Sequence, residues 1–241
     1  MLKRIFTLLL SIFIFGAANA QIKQKAITYY KSGLDFKNKN MIPQAMNAFS
    51  SAIGVDKKFD SAYVELGHIY LASGKPDEAY ANYHQALTIN PRMSEALFGT
   101  GKIYRDFKKL QDSAIFFFKK AAQIDTANKE IFYGIAWSYN AKEEYDSAVK
   151  YGIKALEADN DYKPAYGELA HAYRRLAKYA EAIEQFKKNL AISTVDLALL
   201  YSGYCYTELK DKEGATQQYE ALNKINEKMA SALKRVIDKM Q

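Results

Sequence analysis

Cysteine is almost missing from this 241-residue chain: Cys205 stands alone, which excludes an intramolecular disulfide and with it a disulfide scaffold. Proline (4) and glycine (12) are scarce as well. Both residues punctuate the short strands and tight turns of sandwiches and barrels, so their scarcity favours long uninterrupted helices over an all-β fold. Only 25% of the residues are charged against 49% hydrophobic, enough apolar surface for a packed core and too much for intrinsic disorder. Length alone allows one domain or two. There is no Asn-x-Ser/Thr acceptor and no Gly-rich phosphate loop.

The first twenty residues read as a separate object. Lys3 and Arg4 precede an apolar run from Ile5 to Phe15, and Gly16-Ala17-Ala18-Asn19-Ala20 follows. This is the charged, apolar, small-residue order of a secretory signal peptide, with cleavage before Gln21. The apolar run is shorter than the roughly 20 residues that span a bilayer, and no other stretch is long enough. Gln21 stands where the acylated cysteine of a lipoprotein would be. Removing the signal leaves 32 basic against 27 acidic residues, a net charge of +5. The basic residues are scattered as pairs rather than gathered into a patch, so no nucleic-acid partner is expected.

The remainder repeats itself. Tyr63-x-x-Leu66-Gly67-x-x-Tyr70, then Ala79-x-x-x-Tyr83, Ala86 and Pro91, returns at a period of 34: Gly33, Ala45, Phe49 and Ala52 precede it, and Leu97, Gly101 and Tyr104 follow. The third unit slips by one, because Gly101 to Ala114 spans 13 residues where Gly67 to Ala79 spans 12, which places the extra residue in a turn. Ala114, Phe118 and Ala121 complete that unit. Phe132, Ala136, Tyr139, Ala148 and Ala155 mark the fourth, Tyr166, Ala170, Tyr173, Ala182 and Phe186 the fifth, and Leu199, Gly203, Tyr206, Ala215 and Tyr219 the sixth. On these residues the chain resembles the tetratricopeptide repeat family, whose 34-residue helix-turn-helix signature has this order of aromatic, small and proline positions. The resemblance implies an all-α solenoid of about six repeats in a right-handed superhelix. The bounds expected are a signal peptide over 1–20, a lead-in over 21–25, repeats over 26–59, 60–93, 94–128, 129–162, 163–195 and 196–229, and a C-terminal capping helix over 230–241. The small residues at 33, 67, 101, 136, 170 and 203 are expected to face Ala45, Ala79, Ala114, Ala148, Ala182 and Ala215, letting paired backbones approach while aromatics fill the gaps between repeats.

Candidates for catalysis are few. His68 and His171 occupy the same place in repeats two and five, too far apart for a shared metal, and His84 lies on a second helix. Cys205 stands where Ile69, Ile103 and Ala172 stand, which implies a buried apolar role. Asp77, Glu78, Asp112, Asp146 and Glu181 fall early in second helices and Lys119, Lys120, Lys154, Lys187 and Lys188 late, as charges that complement helix dipoles do. No catalytic residue, metal or cofactor is expected.

In the family that the chain resembles, first helices line a concave groove and supply the partner contacts. Carried over, the resemblance selects Tyr30 and Lys37 in repeat one, Val64 and His68 in two, Phe98, Lys102 and Arg105 in three, and Tyr133, Trp137 and Asn140 in four. It adds His171, Arg174 and Arg175 in five and Leu200 and Tyr204 in six, with Glu130 and Glu208 near the edges. Such a groove is aromatic and basic and suits an extended peptide with acidic and apolar side chains. Tyr30 and Leu34 replace the Lys and Asn of the carboxylate-clamp subclass, which is therefore not supported. The function expected is a non-catalytic scaffold or adaptor of the cell envelope, periplasmic, or else extracellular or peripheral to the outer membrane. Two other classes stay open: an accessory subunit of a secretion or outer-membrane assembly machine that uses convex and capping surfaces, and a small-ligand binder or enzyme.

Overall fold

The computed structural model describes residues 2–192 and 196–240, with side chains placed from Ala20 to Leu190 and from Asp196 onward. Among them are thirteen helices and no strand, so the all-α expectation holds. The chain forms two compact units that meet in sequence at Phe107 and Lys108. The first contains α1 (Leu2–Asn38), α2 (Ile42–Val55), α3 (Asp60–Ala72), α4 (Pro76–Ile89) and α5 (Ser94–Asp106). The second contains α6 (Gln111–Ala122), α7 (Lys129–Ala141), α8 (Tyr145–Ala158), α9 (Lys163–Arg175), α10 (Tyr179–Ile192), α11 (Asp196–Glu208), α12 (Lys212–Asn223) and α13 (Glu227–Ile237). The segment expected to be an export signal falls within α1, and its side chains up to Asn19 lie outside the described residues. Gln21–Lys25, the expected lead-in, continues α1 as exposed helix, and Ala26 is the first buried residue among the described side chains.

Local chemistry sets the helix ends. Pro43, Pro76 and Pro164 sit in the first two positions of α2, α4 and α9, where the missing N–H breaks no helical bond. Asp77 and Glu78, Asp112, Asp146 and Glu181 occupy first turns. Each connection from a first helix to the next second helix passes through one residue in the left-handed region, at Asn40, Gly74, Lys109, Glu143, Ala177 and Lys210. The extra residue of the third repeat falls, as expected, in the connection from Asp106 to Gln111, four residues long where the other five have three. Gly74 alone takes the left-handed turn without a Cβ penalty. Nothing lies within 4 Å of a Cβ built on it, so Gly74→Ala is expected to cost only the backbone term, about 1 kcal/mol, in urea unfolding. Between hairpins, Asp56, Asn90, Asp125 and Asp159 each accept from the N–H two residues on, a local side-chain bond that turns the chain out of one hairpin and into the next.

The core is built by stacking. In the first unit, one cluster joins Ala45, Phe49 and Ile53 of α2 to Leu66 and Ile69 of α3, and the next joins Ala79, Tyr83 and Ala86 of α4 to Ala96 and Ile103 of α5. In the second unit, Ala182, Ile183 and Phe186 of α10 meet Ala198 and Cys205 of α11. Within each unit these second helices bury an apolar face on the first helix that follows, the arrangement of a repeat solenoid. The glycines carry a correction to the expected packing. Gly33 abuts the ring of Phe49 and Gly67 that of Tyr83, each within 2.5 Å of where a Cβ would be. The small position therefore makes room for an aromatic ring on the second helix.

Cys205 is buried in its cluster, and burial pushes its thiol up to about 11. The thiolate is the reactive form, so native protein at pH 8 is expected to resist a thiol-labelling disulfide reagent that modifies the unfolded chain rapidly.

At the end of the chain, Asn226 caps α13 by accepting from the Met229 N–H and donates to Asp196 at 2.8 Å. Ala230, Leu233 and Ile237 are buried against α11 and α12, while Lys228, Ser231, Arg235 and Lys239 face solvent. The helix starts at Glu227, ahead of the expected boundary at 230.

Candidate functional site

Each unit holds a cavity lined mainly by its first helices. In the first unit a space of about 380 Å³ lies among His68 and Leu71 of α3, Tyr83 of α4, Phe98, Gly99 and Lys102 of α5, and Phe107. In the second unit a space of about 440 Å³ is lined by Trp137, Asn140 and Ala141 of α7, Gly167, Glu168 and His171 of α9, Phe186 and Asn189 of α10, and Leu197, Ala198 and Tyr201 of α11. Of the residues selected from the sequence, His68, Phe98 and Lys102 meet at the first cavity and Trp137, Asn140 and His171 at the second.

The others are engaged elsewhere. Tyr30 packs between Phe49 and Phe59, with ring centroids 5.7 and 5.2 Å away. Val64 and Leu200 are buried in core clusters rather than offered to a partner. Arg105 forms a two-pronged bond to Asp106 at 2.6 and 2.9 Å. Tyr133 meets Tyr162 edge-on, Arg175 lies over Tyr145 and 3.7 Å from Glu143, and Tyr204 packs on the C-terminal cluster. Glu130 and Glu208 are exposed.

A contact between successive first helices, which single positions in the sequence do not announce, holds much of this face. The residue four places after the small position meets the residue two places before it on the next repeat. Lys37 pairs with Glu65 at 2.6 Å, Asn140 donates to the Glu168 carboxylate at 2.6 Å and its carbonyl at 3.0 Å, and the Arg174 guanidinium lies 4.6 Å from the Tyr201 ring centroid. Leu71 and Gly99 stand in the same relation, and both line the first cavity. Asn140 and Arg174 are therefore stacking residues as well as surface ones.

Burial, with neighbouring cations, lowers the pKa of both histidines. His68 is held below the usual imidazole range by burial, with Lys37 and Lys102 adding to it against the pull of Glu65. His171 is lowered by burial and by Arg174 and Arg175. A histidine whose folded pKa is depressed contributes stability that is full above the unfolded value, near 6.5, and lost as pH falls. Melting temperature is expected to drop between pH 7 and pH 5, with a smaller drop for His171→Gln. Among the described residues no group of three or more His, Cys, Asp or Glu side chains is placed to hold a metal ion, and no helix is long and apolar enough to cross a membrane.

Family profiles described as tetratricopeptide repeat match residues 61–93, 129–162, 164–193 and 197–228. The chain belongs to the tetratricopeptide repeat family. The matched stretches coincide with α3–α4, α7–α8, α9–α10 and α11–α12. Among curated relatives, photosystem I assembly protein Ycf3 of Acaryochloris marina is 29% identical over 119 residues, which are 48% of this chain and 66% of that protein. Anaphase-promoting complex subunit 3 of Schizosaccharomyces pombe is 28% identical over 102 residues, only 15% of its length. Two solved structures share the fold. The type IV pilus biogenesis factor PilW is 18% identical with a TM-score of 0.73, covering 88% of this chain and 99% of that one. YrrB, described as having an unusual peptide-binding site, is 21% identical with a TM-score of 0.71, covering 78% and 98%.

Proposed function

We propose that this tetratricopeptide repeat protein is an exported, non-catalytic adaptor of the cell envelope that holds a segment of a partner protein against its first helices. The observation that carries the reading is the cavity between α7, α9 and α11: three repeats converge on it, and Trp137 and His171, two of the residues selected from the sequence, stand in its wall. Tryptophan is the side chain most enriched at binding hot spots, and Trp137 is the chain's only one. Export rests on the order of residues 1–20, and the similarity to a pilus biogenesis factor agrees with an envelope setting.

A second reading has its own support. Phe116 is 52% exposed on α6 and Ile153 40% exposed on α8, both on second helices, as docking through the convex side of a larger machine would need. Capture from the envelope fraction of the native host, by a tagged chain, separates the two. Trp137→Ala combined with His171→Ala is expected to reduce the captured partner at least tenfold, the scale of one hot-spot truncation, while Phe116→Ser with Ile153→Ser leaves it unchanged. The opposite pattern moves the partner to the second helices.

A further inference from the structure

We propose that the cavity of the second unit is a socket for one aromatic side chain presented by an extended segment of the partner protein. This rests on the reading of the first-helix face as the binding face.

The socket has a cause in the sequence. Three residues before the small position, the six repeats carry Tyr30, Val64, Phe98, Tyr133, Gly167 and Leu200. Only the fifth lacks a side chain. Packing does not demand glycine there, since a Cβ built on Gly167 meets nothing closer than Asn189 Nδ2 at 3.6 Å, an ordinary contact, whereas one on Gly67 would collide with Tyr83 at 2.5 Å. Glycine inside a helix is also destabilising. Its effect at 167 is to leave space where the other repeats place a bulky side chain, and about 440 Å³ opens beside Trp137, Phe186, Leu197 and Tyr201. Those walls favour an apolar ring, and the volume falls in the range of small-ligand pockets, roughly 300–1,000 Å³.

The same place carries an aromatic ring in three of the other repeats, Tyr30, Phe98 and Tyr133, so a guest ring restores what Gly167 omits. Asn140 in the wall donates twice to Glu168, which fixes its amide, and its Oδ1 is buried out of a guest's reach. Arg174 over Tyr201 and Arg175 near His171 place two positive charges beside the cavity against the single Glu168 carboxylate in its wall, an excess that disfavours lysine or arginine as the occupant.

The lone tryptophan makes the test direct, because Trp137 gives the protein's single indole N–H resonance. Blocked tripeptides with Tyr, Phe, Lys or Ala between two alanines are titrated into ¹⁵N-labelled protein lacking residues 1–20. The Tyr and Phe peptides are expected to shift the indole resonance saturably, and the Lys and Ala peptides to leave it unmoved. Gly167→Leu is expected to abolish the shift with the melting temperature unchanged or raised. Gly167→Val, the residue of repeat two, serves as a second blocking variant should Leu disturb the fold. No saturable shift with Tyr or Phe, equal affinity for Lys, or binding that persists in both folded variants overturns the socket. Failure of the peptides with envelope capture intact removes the socket alone; failure of capture with the Tyr peptide still bound removes the adaptor reading.

Discussion

Tyr83→Ala is expected to lower the free energy of unfolding by about 4 kcal/mol, the middle of the range for truncating a buried aromatic. Tyr83 has no exposed surface, and its ring is held between α3 and α5: a Cβ built on Gly67 would lie 2.5 Å from it and one on Gly99 2.4 Å. The ring therefore joins its own hairpin to the first helix of the next, and its removal opens both contacts. Tyr83→Phe is expected to do the reverse and raise stability by about 1 kcal/mol, because the buried hydroxyl has no hydrogen-bond partner and its loss relieves a desolvation cost. Gly99→Ala forces the same ring to move and is expected to cost about 2 kcal/mol by overpacking. Urea unfolding of the three variants, followed by far-ultraviolet circular dichroism, gives the order; a Tyr83→Phe protein less stable than the parent by 1 kcal/mol or more contradicts it.

Leu233→Ala is expected to cost about 3 kcal/mol. Leu233 is fully buried on α13, and its Cδ2 lies 2.4 Å from where a Cβ on Gly203 would be. It fills, from the following helix, the room that Phe49 and Tyr83 fill beside Gly33 and Gly67 from their own hairpins. In a solenoid each repeat depends on its neighbours, so loss at the last interface is felt locally before it is felt globally. Amide exchange in α11 and α12 is expected to accelerate far more than in α7 and α8. Uniform acceleration along the second unit would mean that the C-terminal helix is not a separable interface.

Much of the fold is legible in the sequence because it repeats. The 34-residue spacing of Gly33, Gly67 and Gly101 places them at one recurring point inside α1, α3 and α5, while the inserted residue in the third turn and the placement of Pro43, Pro76 and Pro164 correspond to helix ends in the structure. What a single position carries less well is its partner. Gly67 reads as a site of close helix approach, but only the register of α4 shows that Tyr83 is what approaches. Asn140 and Arg174 read as surface residues of a first helix, and the Glu168 and Tyr201 that engage them lie on the next repeat, at an offset set by how the helices stack. Val64 and Leu200 fall at a place that is buried or partly open according to what surrounds it. Gly167 was within reach: its departure from the series Tyr30, Val64, Phe98, Tyr133 and Leu200 is a sequence signal, visible once that column is compared across repeats. The recurring Asp56, Asn90, Asp125 and Asp159 between hairpins are another, since Asx turns have fixed side-chain chemistry.

Site-specific photo-crosslinking inside the native cell tests the central claim most directly. A photoreactive amino acid at position 171 reports on the first-helix cavity, and one at 153 on the exposed face of α8. An adduct to one discrete protein from position 171, lost when Gly167→Leu is added and absent from position 153, is the result expected. A discrete adduct from 153 with none from 171 would contradict it and place the partner on the second helices.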